Sequence, residues 1–390
     1  MAGRLISANH AAAFAAALAG RANRTGRGFC SGVYPITPST ECMELLCNQE
    51  IEKGEVVRVE SEHSAMAVCI GAAASGARTF TVSSSNGLAL MAENVYAAAL
   101  LRLPVVMVAA NRTLGPPWNI WADHGDTLML RDSGWVQLYC ADNQEVLDSV
   151  LCAYRLAEDH RVLLPVLVCQ EGFVLSHTMT ETDVPSQERV DRLLPPLDLP
   201  GRLAATPRVM GGIDAPHTTE VHRARHHEAM ARVFDVYREV QDAFERELGR
   251  RPADPVVPYR AGDADALVVS MGTIASTAER AVDEARARGE RLGSVRVRMF
   301  RPFPAEQLSA LFRGVARIAV IDRDISLGFG GVLWGEARGL AEPGAVAQGY
   351  VIGVGGGDVR PEHVAAIAAD LRARTTHGRP IIMETLEAGA

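Results

Sequence analysis

The sequence predicts an α/β fold with a doubly wound parallel sheet and a second, smaller α/β domain. The chain contains a series of short strand-like runs, and two of them, at residues 104–110 and 163–169, are apolar throughout, as is typical of strands buried on both faces of a parallel sheet. Alanine-rich stretches of helical length separate these runs, and small polar turns follow them. This alternation favours helices packed on both faces of one sheet. In the first half of the chain the predicted strands are residues 56–59, 79–82, 104–110 and 163–169, and the predicted helices are residues 64–76 and 88–100.

The N-terminal segment 11–20 is rich in alanine and resembles the short apolar core of a signal peptide. Such cores are usually rich in leucine and follow several basic residues, whereas only Arg4 precedes this segment. We therefore expect a buried, tightly packed helix and a cytoplasmic protein. The sequence contains no run of about 18 apolar residues and predicts no transmembrane helix.

Proline content divides the chain into parts. Residues 183–218 contain many prolines and no sustained periodicity, which indicates a linker or a wrapping segment. A helical pattern follows over residues 220–248, and residues 250–262 read as a second boundary. We expect an α/β domain in residues 1–200, a linker and helical connection in residues 201–260, and a smaller α/β domain in residues 261–390. In the smaller domain the predicted strands are residues 266–272, 295–299 and 318–321, and the predicted helix is residues 276–288.

The composition narrows the possible functions. The chain has 390 residues, of which 48% are hydrophobic and 22% are charged, as in a globular protein that buries large cores. Its net charge of −8 gives no electrostatic support for nucleic-acid binding. The cysteines form no C-x-x-C pair, so we expect reduced thiols and no zinc or iron–sulfur site on this chain. They are Cys30, Cys42, Cys47, Cys69, Cys140, Cys152 and Cys169.

Four polar clusters follow predicted strands, and α/β proteins bind ligands at the carboxyl ends of parallel strands. In the first cluster, Pro35 and Pro38 fix a stiff loop that carries the Thr37 hydroxyl. In the second, Glu62 precedes a helix of small residues, which lets a ligand approach closely. The alternatives are a plain proline turn for the first cluster and a helix-capping carboxylate for the second.

The third and fourth clusters add small polar and basic groups. Residues 83–87 (S-S-S-N-G) form a turn before a helix, and the N–H groups around Ser85 and Asn86 can cradle an anion or a polar ring. An ordinary N-cap is the alternative there. Arg112 directly follows the buried strand 104–110, where it can hold a carboxylate through two parallel hydrogen bonds or form a structural ion pair. Together, the four clusters predict one ligand site.

These clusters contain motifs that occur in a fixed order. They read Y-P-I-T-P-S-T at 34–40, E-S-E-H-S-A at 60–65, S-S-x-G-L-x-L-M at 84–91, A-N-R-x-L-x-x-P-x-N-I-W-x-D-H-x-D at 110–126 and R-D-x-G-W-x-Q at 131–137. With these motifs the sequence resembles the α subunit of pyruvate:ferredoxin oxidoreductase, and the resemblance covers essentially the whole chain. Segments 172–177 and 298–304 fit the same family.

The resemblance implies a fold, a reaction and a set of partners. The first domain would be of the type that binds the pyrimidine ring of thiamine diphosphate, and the second would resemble the C-terminal domain of transketolase. The family decarboxylates a 2-oxoacid oxidatively, forms an acyl-CoA and passes electrons through iron–sulfur clusters to ferredoxin. In its split forms a β subunit supplies the diphosphate- and Mg²⁺-binding domain and a 4Fe-4S cluster, beside γ and δ subunits. The present chain lacks a G-D-G diphosphate motif and a cysteine cluster, as an α subunit would.

The resemblance also implies roles for five residues. Glu62 matches the carboxylate that bonds the far ring nitrogen of the pyrimidine and favours the imino tautomer, which makes the cofactor's own amino group a base. Thr37 and Arg112 match positions that contact the carboxylate and carbonyl of the substrate. Ser85 and Asn86 would lie against the cofactor. Most of the difficult chemistry would belong to thiamine diphosphate itself.

Two departures from the family pattern concern substrate preference more than reaction class. Asn86 stands where the family often has glutamine, and residues 170–173 (Q-E-G-F) replace a more usual D-G-F. The W-N-I-W-x-D-H segment at 118–124 and the R-D-x-G-W segment favour pyruvate over 2-oxoglutarate. The alternatives are an α subunit for 2-oxoglutarate or for a branched or aromatic 2-oxoacid, a non-catalytic scaffold subunit, and a flavodoxin-like electron carrier.

Two further patterns give weaker predictions. The glycine-rich run 353–358 lacks the third glycine of a dinucleotide-binding motif, because Asp358 occupies its place. Four histidines between residues 217 and 227 resemble a metal site, but three arginines in and beside the same segment would repel a cation. We therefore expect neither a dinucleotide nor a metal at these places.

Overall fold

The computed structural model of the protein describes residues 3–199, 201–203 and 209–384. Within these ranges the chain forms two large sheets and a two-stranded ladder. The strands are β1 (Arg4–Ile6), β2 (Phe29–Val33), β3 (Gly54–Arg58), β4 (Arg78–Ser83), β5 (Val105–Asn111), β6 (Val136–Tyr139), β7 (Val166–Glu171), β8 (Thr180–Thr182), β9 (Val256–Tyr259), β10 (Ala266–Ser270), β11 (Leu292–Val297), β12 (Met299–Arg301), β13 (Arg317–Asp322), β14 (Val346–Val351) and β15 (Ile381–Ile382).

Helices connect most of these strands. They are α1 (Ala8–Ala22), α2 (Thr40–Cys47), α3 (Glu62–Ala74), α4 (Ser85–Leu100), α5 (Gly125–Leu128), α6 (Asn143–Ala157), α7 (Gln187–Leu193), α8 (Pro216–Ala231), α9 (Val233–Leu248), α10 (Ile274–Ala287), α11 (Ala305–Phe312), α12 (Val332–Ala337) and α13 (Pro361–Ala373), with short 3₁₀ turns at Arg338–Leu340 and Val354–Gly356.

The first sheet has the strand order β12-β6-β7-β5-β4-β2-β3. Its strands are parallel except β12, which pairs antiparallel with β6. Helices α1 and α6 pack on one face, and α3 and α4 pack on the other. The predicted doubly wound α/β architecture is confirmed, and the four strands predicted in this half correspond to β3, β4, β5 and β7.

The second sheet has the strand order β15-β14-β13-β10-β11-β9 and is parallel except for β9. Helices α10 and α13 cover one face. The other face shares a core with α3, α4 and the first sheet, so the two sheets are joined by continuous apolar packing. The predicted smaller α/β unit is confirmed, including the turn after β10, where Gly272 takes a φ of 58°.

Two predicted elements are each divided in two in the structure, and a third segment contains a strand that was not predicted. The single strand predicted at 295–299 is two strands, because β11 stays in the second sheet and β12 crosses to the edge of the first. The helix predicted at 220–248 is two helices, α8 and α9, that meet at Arg232. The boundary predicted at 250–262 contains β9. Short edge strands such as β9 and β12 pair on one side only and need no long apolar run, so local patterns do not reveal them.

The division into residues 1–200, 201–260 and 261–390 stays a prediction. Two strands belong to sheets outside their predicted parts. Strand β9 lies in the predicted linker but joins the second sheet, and β12 lies in the predicted smaller domain but completes the first sheet. Part of the predicted linker, at residues 200 and 204–208, lies outside the described residues.

Helix α1 is buried on nearly every side, as its alanine content predicts. Twelve of its 15 residues are buried, and it packs against α6 and α2. Alanine side chains allow this close approach because they project little from the helix. No helix in the described ranges is long and apolar enough to cross a membrane.

Gly32 in β2 sets the distance between that strand and α3. A Cβ at this position would lie 2.2 Å from the carbonyl oxygen of Ala65, so the contact requires glycine. Helix α3 therefore lies directly against β2. Its first residue, Glu62, is placed at the carboxyl end of the sheet.

Candidate active site at the carboxyl edge of the first sheet

The four polar clusters predicted from the sequence lie at one edge of the first sheet. Strands β3, β2, β4, β5 and β7 are neighbours in this order and run parallel. The loops that follow their carboxyl ends carry Glu62, Thr37, Ser85 with Asn86, and Arg112. The topology thus brings together segments that are far apart along the chain, at the edge where α/β sheets bind ligands.

Glu62 begins α3 and is only 6% exposed. The preceding Ser61 caps the helix, since its hydroxyl accepts the Ser64 N–H at 3.2 Å. The Glu62 carboxylate lies against Gly87 of α4, where an added Cβ would come within 2.5 Å of Oε1. None of the hydrogen bonds among the described residues reaches this carboxylate, so its oxygens are free to accept from a ligand.

Arg112 follows β5 and is 8% exposed. Its Nε donates to the Asn119 carbonyl at 3.0 Å, and its Nη1 donates to the Thr37 carbonyl at 2.8 Å. Burial lowers the pKa of this guanidinium, although the Asp126 charge acts in the opposite direction. Arg112 forms no ion pair with any carboxylate in the part of the chain that the structure describes, and Nη2 donates to no protein group there. The guanidinium is fixed in place with one nitrogen uncommitted.

Thr37 contacts the site through its backbone. Its carbonyl accepts from Arg112, while its side chain is exposed. The surrounding turn is held at both ends, because Ser39 Oγ donates to the Ile36 carbonyl at 2.9 Å and Asn9 Nδ2 donates to the Pro38 carbonyl at 2.7 Å. These bonds hold the loop, and its contact with Arg112 is made by the Thr37 carbonyl. The predicted substrate contact of the Thr37 hydroxyl stays a prediction.

Ser85 and Asn86 turn their side chains toward the loop after Arg112. Ser85 takes a φ of 51°, and its Oγ donates to the Thr113 carbonyl. Asn86 pairs with Gly115 twice, accepting from its N–H at 2.9 Å and donating to its carbonyl at 3.0 Å. Both side chains are committed to protein groups, and their predicted contact with a cofactor stays a prediction.

Asp126 is the last residue of the motif at 110–126, and the sequence predicts no role for it. Its Oδ2 accepts the backbone N–H groups of Ser85 and Arg112, both at 2.9 Å, and its Oδ1 accepts from Asn111 Nδ2 at 2.9 Å. Burial raises the pKa of Asp126 to about 7 despite these bonds. The acidic pair in the D-H-x-D motif was the signal available in the sequence.

Glu171, at the end of β7, joins the two sheets. Its Oε1 accepts from His124 Nε2 at 3.1 Å and from the Thr273 N–H at 2.9 Å, and its Oε2 accepts from Thr273 Oγ1 at 2.6 Å. The Nε atom of Arg323 lies 3.5 Å from Glu171 Oε2. Burial by itself would raise the pKa of Glu171, but the Arg323 charge and these hydrogen bonds lower it to about 2.

No group of three potential metal ligands occurs in residues 3–199, 201–203 or 209–384.

The chain is similar to known proteins over most of its length. Residues 27–242 match the family model described as pyruvate flavodoxin/ferredoxin oxidoreductase, thiamine diP-bdg, and residues 264–364 match pyruvate:ferredoxin oxidoreductase core domain II. The chain belongs to this family. It is 42% identical to pyruvate synthase subunit PorA of Methanothermobacter thermautotrophicus, over 93% of this chain and 94% of that protein. It is 41% identical to ketoisovalerate oxidoreductase subunit VorA of Pyrococcus abyssi, over 95% of this chain and 93% of that protein.

Solved structures share the fold at low sequence identity. The 2-oxoglutarate:ferredoxin oxidoreductase of Magnetococcus marinus superposes with a TM-score of 0.73 at 18% identity, over 94% of this chain and 65% of that chain. Transketolase from Leishmania mexicana superposes with a TM-score of 0.57 at 14% identity, over 95% of this chain and 46% of that chain. The resemblance drawn from the motifs is confirmed: the chain is an α-type subunit of a multi-subunit 2-oxoacid:ferredoxin oxidoreductase.

Proposed function

We propose that this chain supplies half of a thiamine diphosphate site for the oxidative decarboxylation of pyruvate. The supporting observation is a pair of buried, oppositely charged groups at one sheet edge, the Glu62 carboxylate and the Arg112 guanidinium. Neither forms an ion pair with another described residue. Burying a charged group without a partner costs free energy, so such groups mark places where a ligand completes the contacts.

The residues present fit the pyrimidine ring of the cofactor. Because Gly87 has no side chain, nothing on α4 covers Glu62 Oε1 from that direction. The Glu62 carboxylate would hold the ring of a bound cofactor by accepting a hydrogen bond from its N–H, which would favour the imino tautomer. When bound, thiamine diphosphate supplies the electron sink that decarboxylation requires. Ser85 and Asn86 support the ring through the turn that they shape, since their side chains bind the 113–115 loop.

Arg112 binds and orients the carboxylate of the substrate. The carbonyls of Thr37 and Asn119 fix its guanidinium, which leaves Nη2 to donate to a carboxylate oxygen. Since this carboxylate leaves as CO₂, Arg112 positions the substrate and transfers no proton. The exposed Thr37 hydroxyl contacts the substrate carbonyl.

The remaining parts of the reaction belong to partner subunits. A β subunit binds the diphosphate and Mg²⁺ and carries a 4Fe-4S cluster, and γ and δ subunits complete the route of electrons to ferredoxin. Coenzyme A accepts the acyl group, and the reaction takes place in the cytoplasm. The chain is inactive alone, because half of the cofactor site is missing from it.

Pyruvate is one of two substrate classes that the relatives suggest. Identity to the PorA subunit and to the VorA subunit is nearly equal, at 42% and 41%, so overall similarity does not separate pyruvate from a branched 2-oxoacid. We favour pyruvate because of the W-N-I-W-x-D-H segment at 118–124, which follows Arg112 and supplies its Asn119 contact. A branched 2-oxoacid such as 3-methyl-2-oxobutanoate is the second candidate.

The test uses the complex purified from its host with its natural partners. CoA-dependent reduction of a viologen dye is measured with pyruvate, 3-methyl-2-oxobutanoate and 2-oxoglutarate, in the presence of thiamine diphosphate and Mg²⁺. We expect the highest kcat/KM with pyruvate. A higher value with the branched acid would assign the second candidate, and a complex that oxidises none of the three would contradict the proposed function.

Arg112 variants test the substrate contact itself. Arg112→Ala is expected to lower kcat/KM for the preferred 2-oxoacid by about 1,000-fold, in the range found when one partner of a buried charge pair is removed. Arg112→Lys keeps the charge but loses the planar fork, and we expect about a tenfold rise in KM. The exposed Arg280→Lys on α10 is the matched control and should change neither parameter. An unchanged KM in both Arg112 variants would contradict the assignment.

A further inference from the structure

Asp126 connects the two halves of the candidate site through three hydrogen bonds to one fully buried carboxylate. The donors are the N–H of Ser85, which lies just after β4, the side chain of Asn111, which ends β5, and the N–H of Arg112, which follows β5. We propose that Asp126 is a positioning residue that holds the Arg112 loop and the Ser84–Gly87 turn at a fixed separation. This inference rests on the proposed function, because that separation places the substrate carboxylate beside the cofactor ring.

On the cofactor side, Asp126 controls the turn through Ser85. The φ of 51° puts Ser85 in the left-handed region, which is unfavourable for a residue with a side chain. The bond from its N–H to Asp126 and the bond from its hydroxyl to Thr113 hold this conformation. Two residues later, Gly87 meets the Glu62 carboxylate. A shift of Ser85 would therefore move the backbone against which Glu62 lies.

On the substrate side, Asp126 fixes the start of the Arg112 loop. Asp126 Oδ2 accepts hydrogen bonds from both the Arg112 N–H and the Ser85 N–H. One atom thus defines the positions of both backbone segments. Removing it would leave two buried N–H groups without an acceptor, and each would then move toward another partner.

The segment that carries Asp126 is itself anchored to both sheets. The His124 N–H donates to the Arg323 carbonyl at 3.0 Å, and the His124 ring donates to Glu171. Arg323 directly follows β13. The Asp126 carboxylate is consequently held by contacts with Arg323 and Glu171, which lie outside the two loops that it separates. Such an anchor suits a group that sets the distance between those loops.

Variants of Asp126 in the intact complex test the positioning role. Asp126→Ala is expected to raise KM for the preferred 2-oxoacid by at least tenfold and to lower kcat/KM by about 100-fold. Asp126→Asn should stay within about fivefold of wild type. Its remaining oxygen still accepts both N–H groups. A flip of the Asn111 amide would bring its buried, unpaired Oδ1 to the place of Nδ2, which now donates to Asp126, so that Oδ1 accepts from the new amide. An Asp126→Asn variant as impaired as Asp126→Ala would overturn the inference.

A double-mutant cycle separates positioning of Arg112 from a general structural effect. Because Asp126 acts partly through Arg112, adding Asp126→Ala to Arg112→Ala should lower kcat/KM by at most about tenfold further, against about 100-fold in the wild-type background, and the remainder comes through Ser85 and Glu62. Losses that multiply would overturn the inference. Asp148→Ala is the matched control, since Asp148 is also buried and bonded but pairs with Arg250 on another face of the domain. It should lower the melting temperature and leave KM unchanged.

Amide hydrogen exchange of the complex tests Asp126 independently of activity. Asp126→Ala should speed exchange at the Ser85 and Arg112 amides and leave the middle of β5 unchanged, whereas Asp126→Asn should resemble wild type. If the wild-type complex oxidises no 2-oxoacid, the proposed function fails. The positioning inference is then judged by exchange alone, and unchanged exchange at both amides in Asp126→Ala overturns it.

Discussion

Glu62 and Glu171 are two buried glutamates at the same edge of the first sheet, and they differ in their partners. Glu171 is 1% exposed and accepts hydrogen bonds from His124 and Thr273, with Arg323 beside it. Glu62 is 6% exposed and accepts none from the described residues. Burial alone therefore does not identify a functional carboxylate here. The missing hydrogen bonds single out Glu62 as the carboxylate that we propose a ligand completes.

The same contrast holds between Arg112 and the residues around it. The side chains of Ser85 and Asn86 are bonded to the 113–115 loop, whereas Arg112 keeps one nitrogen free. A site of this kind has a rigid frame of mutually bonded polar groups and a few groups that face the ligand. Variants of the bonded groups and of the groups left free for a ligand test whether this contrast is real.

The largest expected effect is on stability and belongs to Glu171. Glu171→Ala removes one partner of a buried network and leaves Arg323 and His124 unpaired, so we expect a loss of about 3–5 kcal/mol in the free energy of unfolding. Glu62→Ala should cost less than about 1 kcal/mol, because Glu62 has no protein partners to lose. Urea unfolding of the purified full-length chain measures both. Equal losses would remove the distinction between the two glutamates.

The pH dependence of stability should also follow Glu171. Its pKa is lowered to about 2 in the folded chain from 4.5, so the stability it contributes is complete above pH 4.5 and is lost as pH falls toward 2. The shift corresponds to on the order of 3 kcal/mol. Glu171→Gln should therefore flatten the acid limb of a plot of unfolding free energy against pH. A variant with the wild-type slope between pH 4.5 and 3 would show that other groups dominate acid unfolding.

The next effect is on catalysis and belongs to Glu62. Glu62→Gln in the complex should lower thiamine-dependent dye reduction by at least about 100-fold, equivalent to about 2.7 kcal/mol in the activation barrier, with an unchanged melting temperature. Glu284→Gln on α10 is the exposed control. A subunit that serves only as a scaffold would keep full activity in both variants, so this comparison also decides between the enzyme and the scaffold.

The smallest expected effect comes from covering Glu62 without removing it. In Gly87→Ala the new Cβ would lie 2.5 Å from Glu62 Oε1 and from Ser83 Oγ, so the carboxylate must shift. We expect about a tenfold loss of activity with little change in stability. Gly71→Ala on α3 is the matched control, because an added Cβ there meets nothing within 4 Å and should stabilise the helix by up to about 1 kcal/mol. Full activity in Gly87→Ala would mean that Glu62 tolerates displacement.

Much of the fold could be read from the sequence because its signals are local. The apolar run of β5 and the alanines of α1 are buried in the structure, as their patterns predict, and the mixed polar and apolar residues of β4 are buried as well. The parallel arrangement followed from the alternation of strands and helices. Strand β12 could not be predicted in its place, since its partner β6 lies more than 150 residues earlier and nothing in three residues specifies that pairing.

The sequence by itself determined the family and the positions of Glu62, Thr37 and Arg112 at strand ends, because motif order and strand periodicity are properties of contiguous residues. Only the tertiary structure decided which polar groups are left without partners. Glu171 stood in the sequence as a departure from D-G-F, and its role in joining the two sheets appeared only when β7, β10 and β13 were brought together. Hydrogen bonds between distant segments depend on packing, which no local pattern records.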